Sequence, residues 1–303
     1  MQKGLTIKKQ SNIMSIVKNK KILGEIIMKK LFTVLMALVM GVACLGVSAC
    51  NNNAQETIIV HTNAYFAPFE YFEGSEIKGV DVEIMQKVGE KLNKKIEFVS
   101  VEFSTIIDNV SAGQVCDVGA AGITVTEARK EKVDFSNSYY TSVQYVIYKT
   151  GDFTTSKATD GTDCIFWSEL ANKIIGVQLD TTGHIYVDIE INGDGPEYPG
   201  ELANTETVCT PYDNANLAAD ALKAGQIDCV VVDELPASFI ASKNAGLECA
   251  ALYYDANTAT EESYAICVKK GNTELLDAIN AVLAELGEQG IQSLVKKHLG
   301  LEG

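Results

Sequence analysis

The sequence predicts an α/β protein of two similar lobes, each with a mostly parallel sheet flanked by helices, joined by two hinge crossovers. Three observations predict it. First, apolar extended runs alternate with amphipathic stretches from Thr57 onward, and strand–helix–strand order makes successive strands parallel. Second, Ala112–Asp117 (AGQVCD) returns as Ala224–Cys229 (AGQIDC), 112 residues later, each time after an amphipathic helix and before an apolar strand. Third, two extended runs, Thr141–Lys149 and Ser263–Val268, adjoin polar stretches at 150–164 and 253–262. They read as two crossings between lobes, which is hinge geometry. Lobe 1 is therefore expected over 57–148 and 260–303, around lobe 2 over 149–259.

The elements follow in order. Thr57–Val60 (TIIV) reads as the first strand and runs into HTNAYFAPFEYF, a loop dense in aromatics around Pro68. Asp81 is placed to cap a helix whose apolar face is Ile84, Met85, Val88 and Leu92. Lys95–Val101 is a strand, and Phe103, Ile106, Ile107 and Val110 form a second helix closed by Gly113. The next strand, around Val115–Ala121, stops at Gly122. Thr126, three residues before Arg129, reads as a helix start. In the second lobe, Ile174–Val177 is a strand, 178–183 (QLDTTG) turns into a helix, and Leu217, Ala218, Ala221 and Leu222 form a face ended by Gly225. A last long helical face, behind the cap Asn272, runs from Leu275 to Leu286, with a final helix to Leu299.

The chain has 303 residues and a net charge of −15, unevenly placed. Residues 1–30 hold eight lysines and one acid, which leaves about −22 for the rest. So acidic a surface repels phosphate backbones, so nucleic acid is not an expected partner. Leu31–Ala49 is uncharged and apolar, Lys29 and Lys30 precede it, and V-S-A-C ends it: a bacterial lipoprotein signal with Cys50 as the lipidated residue. The alternative is an uncleaved anchor helix. Met28 is the expected start, with 1–27 an upstream extension, 28–50 the signal peptide and 51–56 a tether. The expected location is the extracellular face of the membrane. Of eight cysteines, six lie in the exported part, in no metal-binding spacing. They read mostly as buried free thiols, with room for one bridge, and no metal or cofactor is expected.

Val118–Tyr140 (VGAAGITVTEARKEKVDFSNSYY) organises the site. Arg129 is the only arginine among 25 basic residues. Its planar fork matches a carboxylate through two parallel hydrogen bonds, which lysine cannot reproduce; the other reading is a surface ion pair. Under the internal repeat, Asp233 ends its strand where Ala121-Gly122 ends its own. Ligands in open α/β sheets bind beyond the carboxyl ends of strands, so Asp233 is a candidate counter-group; the other reading is a helix N-cap.

The stretch AGITVTEARKEKVDFSNSYY resembles the signature of the family 3 solute-binding proteins of polar amino-acid ABC importers, and the likeness runs from about Ile58 to Leu299. It implies the periplasmic-binding-protein fold. It also implies that Gly122, Thr124 and Arg129 hold the α-amino and α-carboxylate groups of an amino acid, with Asp233 at the amino group. The family's G-T-T turn, which offers N–H groups at a helix start, maps to Thr181 and Thr182, with Asp180 in place of the glycine. Phe66 and Phe103 match aromatics that sandwich the ligand stem, and Asn63 sits where relatives sense the ligand side chain, as Gln178 does in lobe 2. Both are neutral, which leans toward a polar uncharged ligand. The implied partners are an amino acid and a membrane permease, with the binding protein a monomer. No enzyme is expected: His61, His184 and His298 form no motif, and there is no nucleophile elbow or P-loop. The alternatives are an amino-acid-sensing binding protein or a dehydratase on the same fold.

Overall fold

A computed structural model describes residues 55–301. The expected start at Met28, the signal 28–50 and lipidation at Cys50 lie outside the described residues. Two sheets organise the rest, and they are built alike.

The first sheet has five strands. Thr57–Thr62 pairs in parallel with Lys95–Ser100 on one side and Val118–Gly119 on the other. Cys267–Lys269, arriving late in the chain, runs antiparallel between Val118–Gly119 and Val133–Phe135. Helix Val80–Leu92 packs on this sheet through Val80, Ile84, Met85 and Val88, all fully buried, and against the C-terminal helix Thr273–His298. That last helix is two helices in line, broken at Gly287.

The second sheet has Ile174–Gln178 between Val208–Tyr212 and Cys229–Asp233, all parallel. The long strand Tyr140–Lys149 then runs antiparallel between Cys229–Asp233 and Leu247–Asp255. This strand is the first crossing. Its early half, Tyr140–Val143, pairs with Glu261–Tyr264, the second crossing, while Gln144–Lys149 is built into the second sheet. The second sheet thus begins at Gln144, a few residues before the boundary of 148 expected from sequence.

Three local expectations are corrected. The aromatic loop after the first strand is a small antiparallel sheet of Tyr65–Phe66, Glu70–Glu73 and Glu76–Lys78. Aromatic residues suit strands, but the strands are too short to show a period. Asp81 does not cap its helix: the cap is Gly79, whose φ is +142° and whose hydrogens face the Phe69 carbonyl where a Cβ would lie 2.0 Å away. Asp81 is wholly buried instead. The run Ser263–Val268 is split into Glu261–Tyr264 and Cys267–Lys269, in different sheets.

The internal repeat survives with its register shifted by one. Asp117 exchanges hydrogen bonds with Ile59: its N–H donates to the Ile59 carbonyl and its carboxylate accepts the Ile59 N–H at 2.8 Å. Asp228 does the same with Ile174, at 2.7 Å. Asp117 and Asp228 are therefore the equivalent residues, and one residue has been lost between Gln226 and Asp228 relative to lobe 1. With that correction Asp233 falls on Gly122, not on Ala121.

All six cysteines between Cys116 and Cys267 are free thiols. Cys229 and Cys267 are fully enclosed in apolar surroundings. Among the described residues no helix is long and apolar enough to cross a membrane, and no group of side chains is arranged to hold a metal ion.

Candidate functional site

The parallel strands at the heart of the two sheets end at a common cleft, and a small cavity lies there, lined from both lobes. Lobe 1 contributes Asn63, Phe66, Phe103, Gly122 and Thr124 to its wall, and lobe 2 contributes Gln178, Thr181, Thr182 and Asp233. Every one of these is a residue singled out from sequence. Glu70 and Ala121 complete the lining and were not.

On lobe 1 the chain leaves Val118–Gly119 and turns at Gly122, where φ is +55°. A Cβ there would sit 2.9 Å from the Phe66 ring, so the turn needs glycine for both conformation and space. Asp81 pins this turn from behind: it accepts the Gly122 N–H at 3.0 Å and the Tyr139 hydroxyl at 2.5 Å. Burial pushes Asp81 up to about 6, against the pull of those two donors. Phe66 packs between Phe69 and Tyr264, with ring centroids 6.1 and 6.3 Å away.

Arg129 begins from a capped turn, since Thr126 Oγ1 accepts its N–H at 3.2 Å. The side chain is buried and is not itself in the cavity lining. It lies just behind, with the guanidinium 5.5 Å from the centre of the Phe103 ring. One terminal nitrogen donates to the Thr124 carbonyl and the other reaches across to the Asp180 carbonyl, both at 2.8 Å. Burial lowers the Arg129 pKa, and the acids Glu262, Asp233 and Asp180 oppose that shift.

On lobe 2, Gln178 ends its strand and the chain turns through Asp180 into helix Thr182–Asn192, with Thr181 as cap. Asp180 has φ of +62°, the left-handed backbone that a glycine adopts most easily. Its carboxylate points outward and is more than half exposed. The acid therefore does not crowd the helix N-terminus, where Thr182 Oγ1 donates to Thr124 Oγ1 at 2.6 Å across the cleft. Gln178 Nε2 crosses too, donating to Asn63 Oδ1 at 3.1 Å. Asn63 is fixed in that orientation because its own amide donates to the Val101 carbonyl at 2.7 Å. This leaves Gln178 Oε1 buried without a partner.

Asp233 ends Cys229–Asp233 and occupies the N-cap position of helix Glu234–Lys243, but its side chain makes no cap bond. It accepts instead from Gln144 Nε2 at 2.8 Å and from the Tyr264 hydroxyl. The capping reading is thus set aside by what the carboxylate touches. Glu70 is fully buried, and neither of its oxygens has a partner. Burial, with Asp81 and Asp233 nearby, holds it well above the usual carboxylate range. The signals for the missed residues were faint: Glu70 is the one acid inside the aromatic run FAPFEYF, and Gln144 the one amide inside the apolar strand TSVQYVIYK.

This chain belongs to the bacterial extracellular solute-binding proteins, family 3, whose sequence profile matches residues 58–301. The arginine-binding extracellular protein ArtP of Bacillus subtilis is 28% identical over 257 residues, covering 84% of this chain and 90% of ArtP. Among solved structures, an ancestral arginine-binding protein bound to glutamine is similar with a TM-score of 0.66 and 30% identity, covering 81% of this chain and 99% of that one. The amino acid ABC transporter substrate-binding protein AbpA from Streptococcus pneumoniae, bound to L-arginine, is similar with a TM-score of 0.66 and 26% identity, covering 81% and 95%. These relatives are amino-acid-binding proteins, AbpA that of an ABC transporter, and the α/β fold of this chain is theirs.

Proposed function

We propose that this chain is the substrate-binding component of an amino-acid ABC importer, and that it closes on one α-amino acid between its lobes. The observation that carries this is one strand-end carboxylate, Asp233, in the cavity wall, with one buried guanidinium, Arg129, just behind that wall and bonded to the carbonyls of Thr124 and Asp180 from the two lobes. A free amino acid needs both, a cation fork for its carboxylate and an acid for its ammonium group. In this reading Arg129 and the N–H groups at Thr181 and Thr182 take the carboxylate. Asp233, the Thr124 hydroxyl and the Gly122 carbonyl take the ammonium group, and Phe66 and Phe103 exclude water from the stem.

The side chain of the ligand would meet Asn63, Gln178 and Glu70. Asn63 and Gln178 are neutral, but Gln178 Oε1 is an acceptor left without a partner, and so are the Glu70 oxygens once a cation draws off its proton. A buried acceptor without a donor costs about 1–3 kcal/mol. A ligand whose side chain donates, such as arginine, lysine, ornithine or glutamine, would satisfy them, and an acidic side chain would meet Glu70 unfavourably.

Around this binding event we place a lipid anchor at Cys50, a location on the extracellular face of the membrane, action as a monomer, and delivery to a membrane permease. Replacing Cys50 with Ser and fractionating the cells tests the anchor; membrane retention with an unchanged processed N-terminus rejects it. The binding function is tested by thermal shift with the twenty amino acids, ornithine and cystine. Ligand at 100 times its dissociation constant should add about 2.7 kcal/mol to stability. The expected result is stabilisation by a few polar amino acids with no turnover. No shift with any of them rejects the reading, and consumption of one would favour an enzyme on this fold.

A further inference from the structure

The strand-end aspartate has a second acid behind it. Where the two crossing strands run side by side, Gln144 and Glu262 are both buried. Gln144 Nε2 donates to Asp233 Oδ1 and also to Glu262 Oε1. The other Glu262 oxygen accepts from Thr124 Oγ1, which itself accepts from Thr182 Oγ1. The two carboxyl groups are thus held on one shared nitrogen. One amide therefore serves two buried carboxyl groups, and a chain of hydroxyls connects the second to the cavity wall.

The charges around the pair do not balance. Facing it are Glu70 from the hairpin sheet, with Asp81 of helix Val80–Leu92 beyond Glu70, and Tyr264 from the crossing strand itself. Tyr186 faces it from helix Thr182–Asn192, and Arg129 from its own short turn. Among these groups Arg129 is the one cation, and two of its N–H bonds already go to carbonyl oxygens. Two carboxylates this close do not both ionise readily in a buried site. Burial raises the pKa of both, and the Asp233 charge raises that of Glu262 further. Glu70 adds a third acid to the same space: it lines the cavity, fully buried, with no partner for either oxygen.

We propose that Asp233 and Glu262 act as one acid pair that holds a single proton in the ligand-free protein and releases it when the ammonium group of an amino acid binds. The reading rests on the proposed amino-acid function. The ammonium group arrives already protonated; the O–H bond of the shared carboxyl breaks, the proton goes to the buffer, and the incoming cation takes its place. Asp233 touches the ligand. Glu262 is a positioning residue, acting through Gln144 and through the Thr124 hydroxyl that the ammonium group would share. Linkage then fixes the pH dependence: affinity rises by about tenfold per pH unit while the free pair is protonated, and levels off above its titration.

The test is calorimetry of the full exported chain with L-arginine and with L-glutamine, from about pH 5 to about pH 8, in pairs of buffers with different ionisation enthalpies. Proton release common to both probes belongs to the pair; any extra release with arginine belongs to Glu70. The expected result is about one proton released with each probe at the acidic end, falling toward none as pH rises. Glu262→Gln should bind about tenfold more weakly at neutral pH, and its affinity should be flat across the range. A loss of packing alone would lower affinity without changing the proton count. Difference infrared on the parent gives a check that needs no variant: a protonated-carboxyl band should vanish on binding. Binding of either probe with no proton release and no pH dependence overturns the proposal, as does a Glu262→Gln protein that releases as many protons as the parent. If no amino acid in the thermal-shift screen binds, the proposed function fails, and the acid pair fails with it.

Discussion

The two lobes use one scaffold for opposite chemistry. In each, a central strand follows an amphipathic helix, opens with an aspartate that clamps the neighbouring strand, and ends at the cleft. Asp117 clamps Ile59 and Asp228 clamps Ile174 with nearly the same geometry. Five residues on, the equivalence breaks: lobe 1 has Gly122 and lobe 2 has Asp233. Glycine there lets the chain turn with φ of +55° and offers backbone groups to the cavity. Aspartate there projects a carboxylate into it. Arg129, seven residues beyond Gly122, brings a buried guanidinium to the cleft from lobe 1. In the proposed reading, this is how two similar builds form a site for a molecule with two unlike ends: the strand clamps stay the same, and the residues at and beyond the strand ends diverge.

The sharpest way to break this comparison is to remove one charged end. Arg129→Lys keeps the charge but loses the fork, and Asp233→Asn keeps the shape but loses the charge. Each should cost about 2–5 kcal/mol of binding free energy in calorimetry, because the opposite group of the ligand is left unpaired. Circular dichroism should show that both variants fold.

A smaller effect is expected at the other strand end. Gly122→Ala places a side chain in left-handed backbone and against Phe66. The backbone conformation alone costs about 1–2 kcal/mol, measured as a fall in unfolding free energy. Amino-acid affinity should fall too, since the Phe66 ring must shift.

Smaller still, and equal in the two lobes, should be loss of the strand clamps. Asp117→Asn and Asp228→Asn should each cost about 1 kcal/mol in denaturant unfolding. Similar values would support the corrected register. A large loss at one and none at the other would argue that the lobes are not equivalent there.

The pH dependence of stability should carry a mark of the same asymmetry. Asp81, held at about 6 in the fold, and Glu70, held well above its usual range, bind more protons folded than unfolded. A group whose folded pKa is raised in this way loses stability as pH rises through the interval between its unfolded and folded values. The ligand-free protein should therefore melt at a higher temperature near pH 5 than near pH 7.5, by about 1.4 kcal/mol per pH unit for each proton involved. Relief of the strongly negative net charge acts in the same direction. Glu70→Gln should flatten the slope, and an unchanged slope would remove Glu70 from the account.

Much of this was legible in the sequence because it is local. Gly122, Thr124, Thr126 and Arg129 lie within eight residues, so turn chemistry and charge type could be read together. The internal repeat located Asp233, although one residue out of register, because a single-residue deletion between Gln226 and Asp228 leaves no trace in a short motif. The residues that escaped are joined only through tertiary pairing. Gln144 and Glu262 are 118 residues apart and meet because the crossing strands lie side by side. Asp81 looked like a cap since it precedes an apolar helical face. Its partners Gly122 and Tyr139 lie 41 and 58 residues away, and no periodicity points to them.

The central claim is that one α-amino acid is held at both ends by residues from opposite lobes. It is tested most directly on the unaltered protein with ligands altered at one end. The amino acid giving the largest thermal shift is compared by calorimetry with its α-amide, which lacks the carboxylate for Arg129, and its N-acetyl form, which lacks the ammonium group for Asp233. The account predicts that both blocked forms bind weakly or not at all, with losses of about 2–5 kcal/mol each. If the protein accepts both blocked forms as tightly as the free amino acid, the cavity does not read the two ends of an amino acid, and the account is wrong.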